Sequence, residues 1–270
     1  MQRTFAKHKI FHWLLPILAL MAGIIWLQRH QRIPLWQEDQ IWARIQREGL
    51  LRVGMDASYP PFEEALEEGQ FVGLDVDLAQ ALAARWGVQV LLVNVHFDGL
   101  YDALKAGKFD LIISALPYDR TMTRDLLYSN SYFDAGQVLL MRSDRDDIRK
   151  IDGLEGARVA VELGSEGHHL AHQLSRDKAL NLYIEARREL EEATELVLDG
   201  EADVLICDRV TAYGLLRNRP SLRLASLALT SEPFVIAAPM GAYTLMEQVN
   251  AALAEWQANR TLETLKARWL

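Results

Sequence analysis

Polar side chains that could bind a small ligand follow three short apolar stretches of the sequence. Asp56 comes after LLRVGM, Ser114 after FDLII, and Asp208 after ADVLIC. A carboxylate at such a position can bind an ammonium group, and a hydroxyl can donate or accept a hydrogen bond. At Asp56 and Asp208 the alternative is that the carboxylate caps the turn or helix that follows it.

Three histidines, His168, His169 and His172, lie close together in the sequence. His168 and His172 would share one face of a helix, as two zinc ligands can. The sequence offers no convincing third and fourth ligand, and it contains no nucleophile elbow, phosphate-binding loop or zinc-protease motif. We therefore predict no metal, no cofactor and no catalysis, with the histidines at the mouth of a cleft or on the surface.

Two segments with the same order of elements would position the Ser114 hydroxyl and the Asp208 carboxylate. In each segment a glycine ends a helix and an apolar strand follows, first Phe109 to Ile113 and then Ala202 to Ile206. Apolar strands that each follow a helix in the sequence are typical of parallel α/β sheets, which bind ligands beyond the carboxyl ends of their strands. We predict two α/β lobes that face each other across a cleft, with one of these strand ends in each lobe.

The length and composition of the chain are sufficient for two lobes and argue against nucleic acid as a partner. The chain has 270 residues, and 50% of them are hydrophobic, which is enough for two lobes with separate cores. The formal net charge of −8 argues against nucleic acid as a partner, because nucleic acid requires clustered basic surface. Cys207 is the one cysteine of the sequence, so a disulfide framework is impossible.

The amino-terminal segment has the pattern of a membrane anchor. An apolar run from Ile10 to Leu27 has basic residues on both sides, and its length is at the lower limit for a spanning helix. We predict an uncleaved signal anchor over residues 1–32, with a cleaved signal peptide or a buried globular helix as alternatives. Residues 33–49 would form a helix that lies along the membrane surface or packs on the first lobe, and we prefer the surface spacer.

Five motifs occur in a fixed order along the chain: VGMDASYPPFE, GLDVDLAQALA, VHFDGLYDALKAGKFDLIIS, YSNSYFDAGQVLL and ADVLICD. Their order and spacing resemble the family-3 extracytoplasmic solute-binding proteins, the polar amino-acid receptors of ABC importers. The resemblance covers about residues 50–270. It implies a hinged α/β fold of two lobes, the type II periplasmic-binding-protein fold, which closes on a small ligand. It also implies an extracytoplasmic monomer that delivers its ligand to an ABC permease.

The resemblance divides the chain into lobes and suggests where they are hinged. Lobe one would comprise residues 50–138 and 231–270, and lobe two residues 139–230. The hinges would be the strands Gly136 to Met141 and about Leu229 to Phe234. Closure on a ligand that contacts both lobes would then move these two crossing segments.

The resemblance also implies roles for residues around the cleft. Asp208 matches an acid that pairs with the ligand's ammonium group, and Tyr59 and Phe97 match aromatic positions that stack on the ligand or wall it off. Gly164 and Ser165 match a turn that meets an anionic group of the ligand, and a turn before a helix suits an anion electrostatically.

The loop after the first repeated strand would add hydrogen bonds to the ligand, through the Ser114 hydroxyl and the nearby backbone at Ala115 and Leu116. Glu166 stands where family members often have threonine, so it adds a third carboxylate to those of Asp56 and Asp208.

The position of the family's arginine departs from the pattern. In the family that arginine binds the ligand's α-carboxylate, and it lies six residues before an aromatic–serine pair. In this sequence the sixth residue before Tyr128 is Met122. A lost charge-assisted contact of this kind would cost about 1.5–3 kcal/mol. Either Arg120 or Arg124 substitutes for it, or the ligand has no α-carboxylate. Pro117 removes one more N–H donor from the same loop.

Three acids and a displaced arginine favour a cationic ligand, such as a basic amino acid or an amine. Two other functions remain open at this point. Some proteins that resemble the family are cyclohexadienyl dehydratases, in which cleft carboxylates assist an elimination, although their substrate carries carboxylates that would need the arginine. A sensory domain that signals through a partner protein is the second alternative.

Overall fold

The computed structural model describes residues 39–178 and 180–270. The predicted anchor over residues 1–32 and the first part of the predicted spacer lie outside the described residues. Within the described ranges no helix is both long enough and apolar enough to cross a membrane. Ile41–Leu270 form one compact unit that contains two five-stranded sheets. A small three-stranded sheet is formed by β2 (Ser58–Tyr59), β3 (Glu63–Ala65) and β4 (Phe71–Val72).

The first sheet has four strands that run in one direction and a fifth that runs the opposite way. In spatial order its strands are β5 (Gln89–Asn94), β1 (Leu50–Met55), β6 (Leu111–Ile112), β15 (Ala237–Pro239) and β7 (Leu126–Tyr128). Strand β1 pairs in parallel with β5 and β6, whereas β15 runs antiparallel to β6 and β7. The helices of this lobe are α1 (Gln40–Glu48), α2 (Leu74–Trp86), α3 (Leu100–Lys105), α7 (Tyr243–Ala258) and α8 (Thr261–Trp269).

The second sheet repeats this arrangement. In spatial order its strands are β11 (Tyr183–Arg187), β10 (Arg158–Glu162), β12 (Val204–Asp208), β9 (Gln137–Arg142) and β13 (Leu222–Ala228). Its helices are α4 (Glu166–Asp177), α5 (Leu190–Leu198) and α6 (Arg209–Asn218). Strand β10 is parallel to β11 and β12, whereas β9 is antiparallel to β12 and β13. In each sheet four strands therefore run in the same direction, and the prediction of parallel strands is wrong for one strand, β15 in the first sheet and β9 in the second.

Both repeated segments end their helices with a left-handed glycine. Gly107 follows α3 with a φ of 72°, and Gly200 follows α5 with a φ of 77°. Glycine adopts this conformation without the steric cost that a Cβ would bring. The strand that follows is shorter than predicted in the first lobe, where β6 covers two residues, and it extends through Asp208 in the second.

An aspartate ties the start of the repeated strand to the neighbouring strand in each sheet. The Asp110 carboxylate accepts the Arg52 N–H at 2.9 Å, and the Asp203 carboxylate accepts the Arg158 N–H at 2.7 Å. In return the backbone N–H of each aspartate donates to the carbonyl of the same arginine, at 2.9 and 2.8 Å. The same contacts therefore hold the repeated strand against its neighbour in both sheets, and with it the carboxyl end of that strand.

Two chain segments cross between the sheets close to each other. Short strands β8 (Phe133–Asp134) and β14 (Pro233–Phe234) pair antiparallel at the crossing. A Cβ on Gly136 would lie 2.3 Å from the Thr230 carbonyl oxygen, so a side chain at this position would force the segments apart. The Asp134 carboxylate also accepts the Gly136 N–H at 2.9 Å, which holds the turn into β9.

Helix α1 packs on the first sheet. Ile45 is fully buried in the core of this lobe, and Ile41 and Trp42 pack against the same core. The Trp42 ring makes an edge contact with Trp86, with 5.1 Å between the ring centroids. The preference for a membrane-surface spacer is therefore wrong for Gln40–Glu48, because its apolar face is buried against lobe one instead of facing a membrane.

Candidate functional site

A cavity of about 370 Å³ lies between the carboxyl ends of the first sheet, the crossing segments and the end of β12. Ser114 and Asp208 both border it, so the two repeated units do meet at a common space. The described residues that line it are Asp56, Ser58, Tyr59, Glu63, Phe97, Ser114, Ala115, Pro117, Ala135, Asp208, Glu232 and Phe234. Four of them are acids, and none of these lining residues is Arg, Lys or His. The cavity therefore has a negative lining.

Asp56 is held at the end of β1 by two donors. Its Oδ1 accepts the Ser58 hydroxyl at 2.7 Å, and its Oδ2 accepts the Phe97 N–H at 2.8 Å. The Asp56 N–H donates to the Ser114 Oγ at 2.9 Å. The capping alternative is thus correct in part, because the carboxylate organises the backbone of two loops. Each oxygen still has a second lone pair for a ligand.

Asp208 caps helix α6. Its Oδ1 accepts the Thr211 N–H at 2.9 Å, and its Oδ2 accepts the Thr211 hydroxyl at 2.6 Å. Capping and ligand binding are compatible here, since the carboxylate also borders the cavity. It is the one described lining residue that the second sheet supplies, through the last residue of β12.

Glu63 is buried at the base of the cavity beside a second buried acid, Asp75. The Glu63 Oε1 accepts the Ser114 hydroxyl at 2.8 Å, and the Asp75 Oδ2 accepts the Tyr132 hydroxyl at 2.9 Å and the Ala115 N–H at 2.5 Å. Oε2 of Glu63 and Oδ1 of Asp75 are buried and have no other hydrogen-bond partner among the described residues. A proton on Glu63 that is donated to Asp75 satisfies both oxygens.

The pKa values of this pair agree with a shared proton. Burial, followed by the Asp75 charge and the hydrogen bond between the two carboxyls, raises the pKa of Glu63 well above its usual range. Burial also raises the pKa of Asp75, and hydrogen bonds from Glu63, Ala115 and Tyr132 oppose that rise. Glu63 therefore stays protonated at neutral pH, and it adds no full charge to the cavity.

Glu232 is an acid of the site that was not predicted from the sequence. It lies in the second crossing segment, and no hydrogen bond or ion pair engages its carboxylate among the described residues. Burial and the negative charges of Glu166, Asp208 and Asp134 raise the pKa of Glu232. Its pattern in the sequence gives no signal, because a single acid after a threonine and a serine is ordinary in an exposed loop.

Two aromatic side chains form exposed walls of the cavity. The Tyr59 ring stacks on Phe62 with 5.8 Å between centroids, and Tyr59 is 46% exposed. Phe97 on the opposite loop is 41% exposed. Exposed rings at a cavity mouth are available for contact with a ligand. Burial and the charges of Asp208 and Glu232 raise the pKa of the Tyr59 phenol, so it remains neutral.

The loop after β6 has few free donors. The Ser114 hydroxyl and the Ala115 N–H are engaged by Glu63 and Asp75, and Pro117 has no N–H. Leu116 is buried and does not border the cavity. Ala115 has a φ of 41°, a conformation that few residues other than glycine adopt.

None of the three candidates for the carboxylate-binding position borders the cavity. Met122 packs against the cluster of buried side chains around α3, and Arg120 and Arg124 are exposed. The 3-10 turn Arg120–Met122 is capped by Asp119, whose carboxylate accepts the Thr121 N–H at 2.7 Å. Neither arginine therefore replaces the family's arginine in this arrangement of the loop.

Gly164, Ser165 and Glu166 begin helix α4 and also lie outside the cavity lining. The Gly164 N–H donates to the Nδ1 atom of His168 at 3.1 Å, and the Ser165 N–H donates to the Glu162 carbonyl at 3.2 Å. Ser165 Oγ accepts the His168 N–H as the helix cap. The turn that would meet an anionic group thus uses these N–H groups internally.

The histidines engage one another and the turn. Nε2 of His168 and Nε2 of His172 are 3.1 Å apart. Nδ1 of His168 accepts an N–H, so a neutral ring carries its proton on Nε2, where a metal would have to bind. Across the described residues, no group of three or more His, Cys, Asp or Glu side chains could hold a metal ion.

Two sheets joined by two crossing segments, with an acid-lined cavity between them, define a two-lobed ligand-binding fold. Residues 51–270 match the family described as bacterial extracellular solute-binding proteins, family 3. This match spans most of the sequence, so the chain belongs to that family.

Two of the similar proteins are named as binding proteins, and one of the similar solved structures is named as an enzyme. The chain is 26% identical over 257 residues to the L-cystine-binding protein TcyJ of Escherichia coli K12, covering 93% of this chain and 91% of the relative. It is 28% identical to the arginine-binding extracellular protein ArtP of Bacillus subtilis, covering 81% and 85%. Among solved structures it resembles an ancestral cyclohexadienyl dehydratase, at 28% identity and a TM-score of 0.72, covering 84% and 94%.

Proposed function

We propose that this solute-binding protein captures a small cationic amino acid or amine and delivers it to an ABC importer. The observation that carries the proposal is the cavity lining, in which four acids are accompanied by no basic side chain among the described lining residues. A relative named as an arginine-binding protein supports a cationic ligand. Asp56, Asp208 and Glu232 would supply the negative charge that a cation requires, since Glu63 keeps its proton.

Capture would work by closure of the two lobes. Most of the described lining residues belong to the first lobe and the crossing segments, and Asp208 belongs to the second. A ligand bound to lobe one gains further contacts when lobe two approaches, so it shifts the open–closed equilibrium toward the closed form. Tyr59 and Phe97 would cover the ligand, and the segments around Gly136 and Thr230 would act as the hinges.

The membrane arrangement is part of the proposal. An uncleaved helix over residues 1–32 would anchor the receptor, and the lobes would lie outside the cytoplasm as a monomer next to a permease. The apolar run between basic flanks supports this arrangement. Fractionation tests it: the full-length chain should remain with the membrane after a carbonate wash, and its mass should include residue 1. A soluble chain with a cleaved amino terminus would contradict the anchor.

A ligand screen tests the binding function. Thermal unfolding of the purified full-length chain would be followed with basic amino acids, amines, and neutral and acidic amino acids. A cationic ligand at a hundred times its dissociation constant should add about 2.7 kcal/mol to the free energy of unfolding. Stronger stabilisation by acidic or neutral amino acids than by any cation would refute the proposal.

An enzyme is the second candidate, because the fold resembles that of an ancestral cyclohexadienyl dehydratase. The cavity lining argues against this candidate, since the carboxylates of prephenate or arogenate would face Asp56, Asp208 and Glu232 without a basic partner among the described lining residues. Incubation of the chain with prephenate or arogenate decides between them. Product formation above the rate of a matched blank would establish catalysis.

A further inference from the structure

The cavity also indicates which cationic ligand fits, and this inference rests on the proposed function. Basic amino acids carry a carboxylate as well as two positive groups. A buried carboxylate needs hydrogen-bond donors or a positive charge, because desolvation without a partner is costly. The deciding feature is therefore whether free donors exist in the loop after β6 of lobe one and in the turn before α4 of lobe two, where the family resemblance would place a carboxylate.

In lobe one the Ser114 and Ala115 donors are already engaged. The Ser114 hydroxyl donates to Glu63 at 2.8 Å, and the Ala115 N–H donates to Asp75 at 2.5 Å. Pro117 has no N–H, and the Tyr118 N–H donates to the carbonyl of Pro233 at 3.0 Å. Arg120 and Arg124 do not border the cavity.

In lobe two the N–H groups of Gly164 and Ser165, in the turn before α4, are also engaged. The Gly164 N–H donates to His168 at 3.1 Å, and the Ser165 N–H donates to the Glu162 carbonyl at 3.2 Å. The next residue, Glu166, places a negative side chain at the amino terminus of the helix, where an anionic ligand group would otherwise be favoured.

Acceptors, by contrast, are abundant. Asp56 and Asp208 each accept two hydrogen bonds from the protein, and each carboxylate oxygen can accept a further one. The carboxylate of Glu232 borders the cavity, and no described residue pairs with it. Such a lining can accept several N–H donors from a ligand and offers little to a carboxylate.

We propose that the ligand is a small amine with at least two positive charges and no carboxylate, and that Glu232 binds one of its charged groups. A linear diamine suits a cavity of about 370 Å³. One positive group pairs with Glu232 and Asp208 near the crossing segments, and the other pairs with Asp56 at the end of β1. Tyr59 and Phe97 contact the methylene chain between them.

Matched pairs of ligands test the missing carboxylate. Isothermal titration of the full-length chain in mild detergent would compare cadaverine with lysine, putrescine with ornithine, and agmatine with arginine, because each pair differs by one carboxylate. We expect the amine of the best-binding pair to bind at least about tenfold more tightly than its amino acid, a difference of about 1.4 kcal/mol. Equal or tighter binding of the amino acid would overturn the inference while leaving the cationic receptor intact. Binding of neither member of any pair would overturn both.

A variant tests the role of Glu232. Glu232→Gln should weaken binding of the best amine by about tenfold or more, whereas Glu189→Gln, at an exposed acid outside the cavity lining, should bind like the parent protein. Both variants should keep the parent melting temperature, which separates ligand pairing from a structural role. Unchanged affinity in Glu232→Gln would overturn the assignment of this residue.

Discussion

Replacing Glu63 by glutamine should stabilise the folded protein, and more so as the pH rises. Glu63 is 1% exposed, and it lies between the Ser114 hydroxyl and the Asp75 carboxylate. A glutamine amide can accept the same hydroxyl and donate an N–H to Asp75, as the protonated acid does. The substitution therefore keeps the hydrogen bonds and removes the need to hold a proton.

The magnitude follows from proton linkage. Burial and Asp75 raise the pKa of Glu63 in the folded state, while the unfolded chain titrates near 4.3. Between these two pKa values the folded state holds one proton more than the unfolded state. Its stability therefore falls with rising pH by about 1.36 kcal/mol per pH unit. From pH 6.5 to 8.0 the advantage of Glu63→Gln should grow by about 2 kcal/mol.

Urea unfolding of both proteins at the two pH values measures this difference. Glu64→Gln is the matched control, because Glu64 is the next residue of the same short strand and is exposed. The control should show the same pH dependence as the parent protein. A stability difference between Glu63→Gln and the parent that does not change between pH 6.5 and 8.0 would show that Glu63 is already ionised in the folded state, and the reasoning would be wrong.

Further substitutions test three other parts of the structure: the cap of α6, the buried aspartate of the first repeated unit and the crossing segments. Asp208→Ser keeps a helix cap and removes the charge, so the affinity for the ligand should fall at least tenfold while the melting temperature stays unchanged. Asp208→Ala removes the cap as well, so it should also lose about 1 kcal/mol of stability. Asp110→Ala should lower the free energy of unfolding in urea by about 3 kcal/mol, because this 1% exposed side chain pairs with two arginines. Asp203→Ala should lower it by less, because the Asp203 side chain is 19% exposed. Gly136→Ala should destabilise by about 1–3 kcal/mol, since its Cβ would meet the Thr230 carbonyl; a neutral effect would contradict the close approach of the crossing segments.

The sequence was sufficient to predict the elements that repeat. The left-handed glycines at Gly107 and Gly200 and the following apolar strands are local signals, and the structure contains both units. The placement of Ser114 and Asp208 at one cavity follows from those units. The antiparallel strands were missed because β9 and β15 are apolar segments, and apolar composition does not specify strand direction.

Other features depend on contacts between distant segments. Glu63 is a site residue because it is buried beside Asp75, and its sequence neighbours give no sign of that burial. Glu232 borders the cavity because the second crossing segment returns beside the first. The packing of α1 depends on Ile45 fitting the core of lobe one, which the amphipathic pattern of the helix could not distinguish from contact with a membrane surface.

The central claim is that the two lobes close on a cation held in the acid-lined cavity. Spin labels at Leu91→Cys on β5 and Tyr183→Cys on β11, both at exposed positions of different sheets, report the distance between the lobes. Saturation with the tightest-binding cation should narrow the distance distribution and shorten its mean, and the same addition to Asp208→Ser should not. Bound ligand with an unchanged distance, or no change with any cation, would contradict the account.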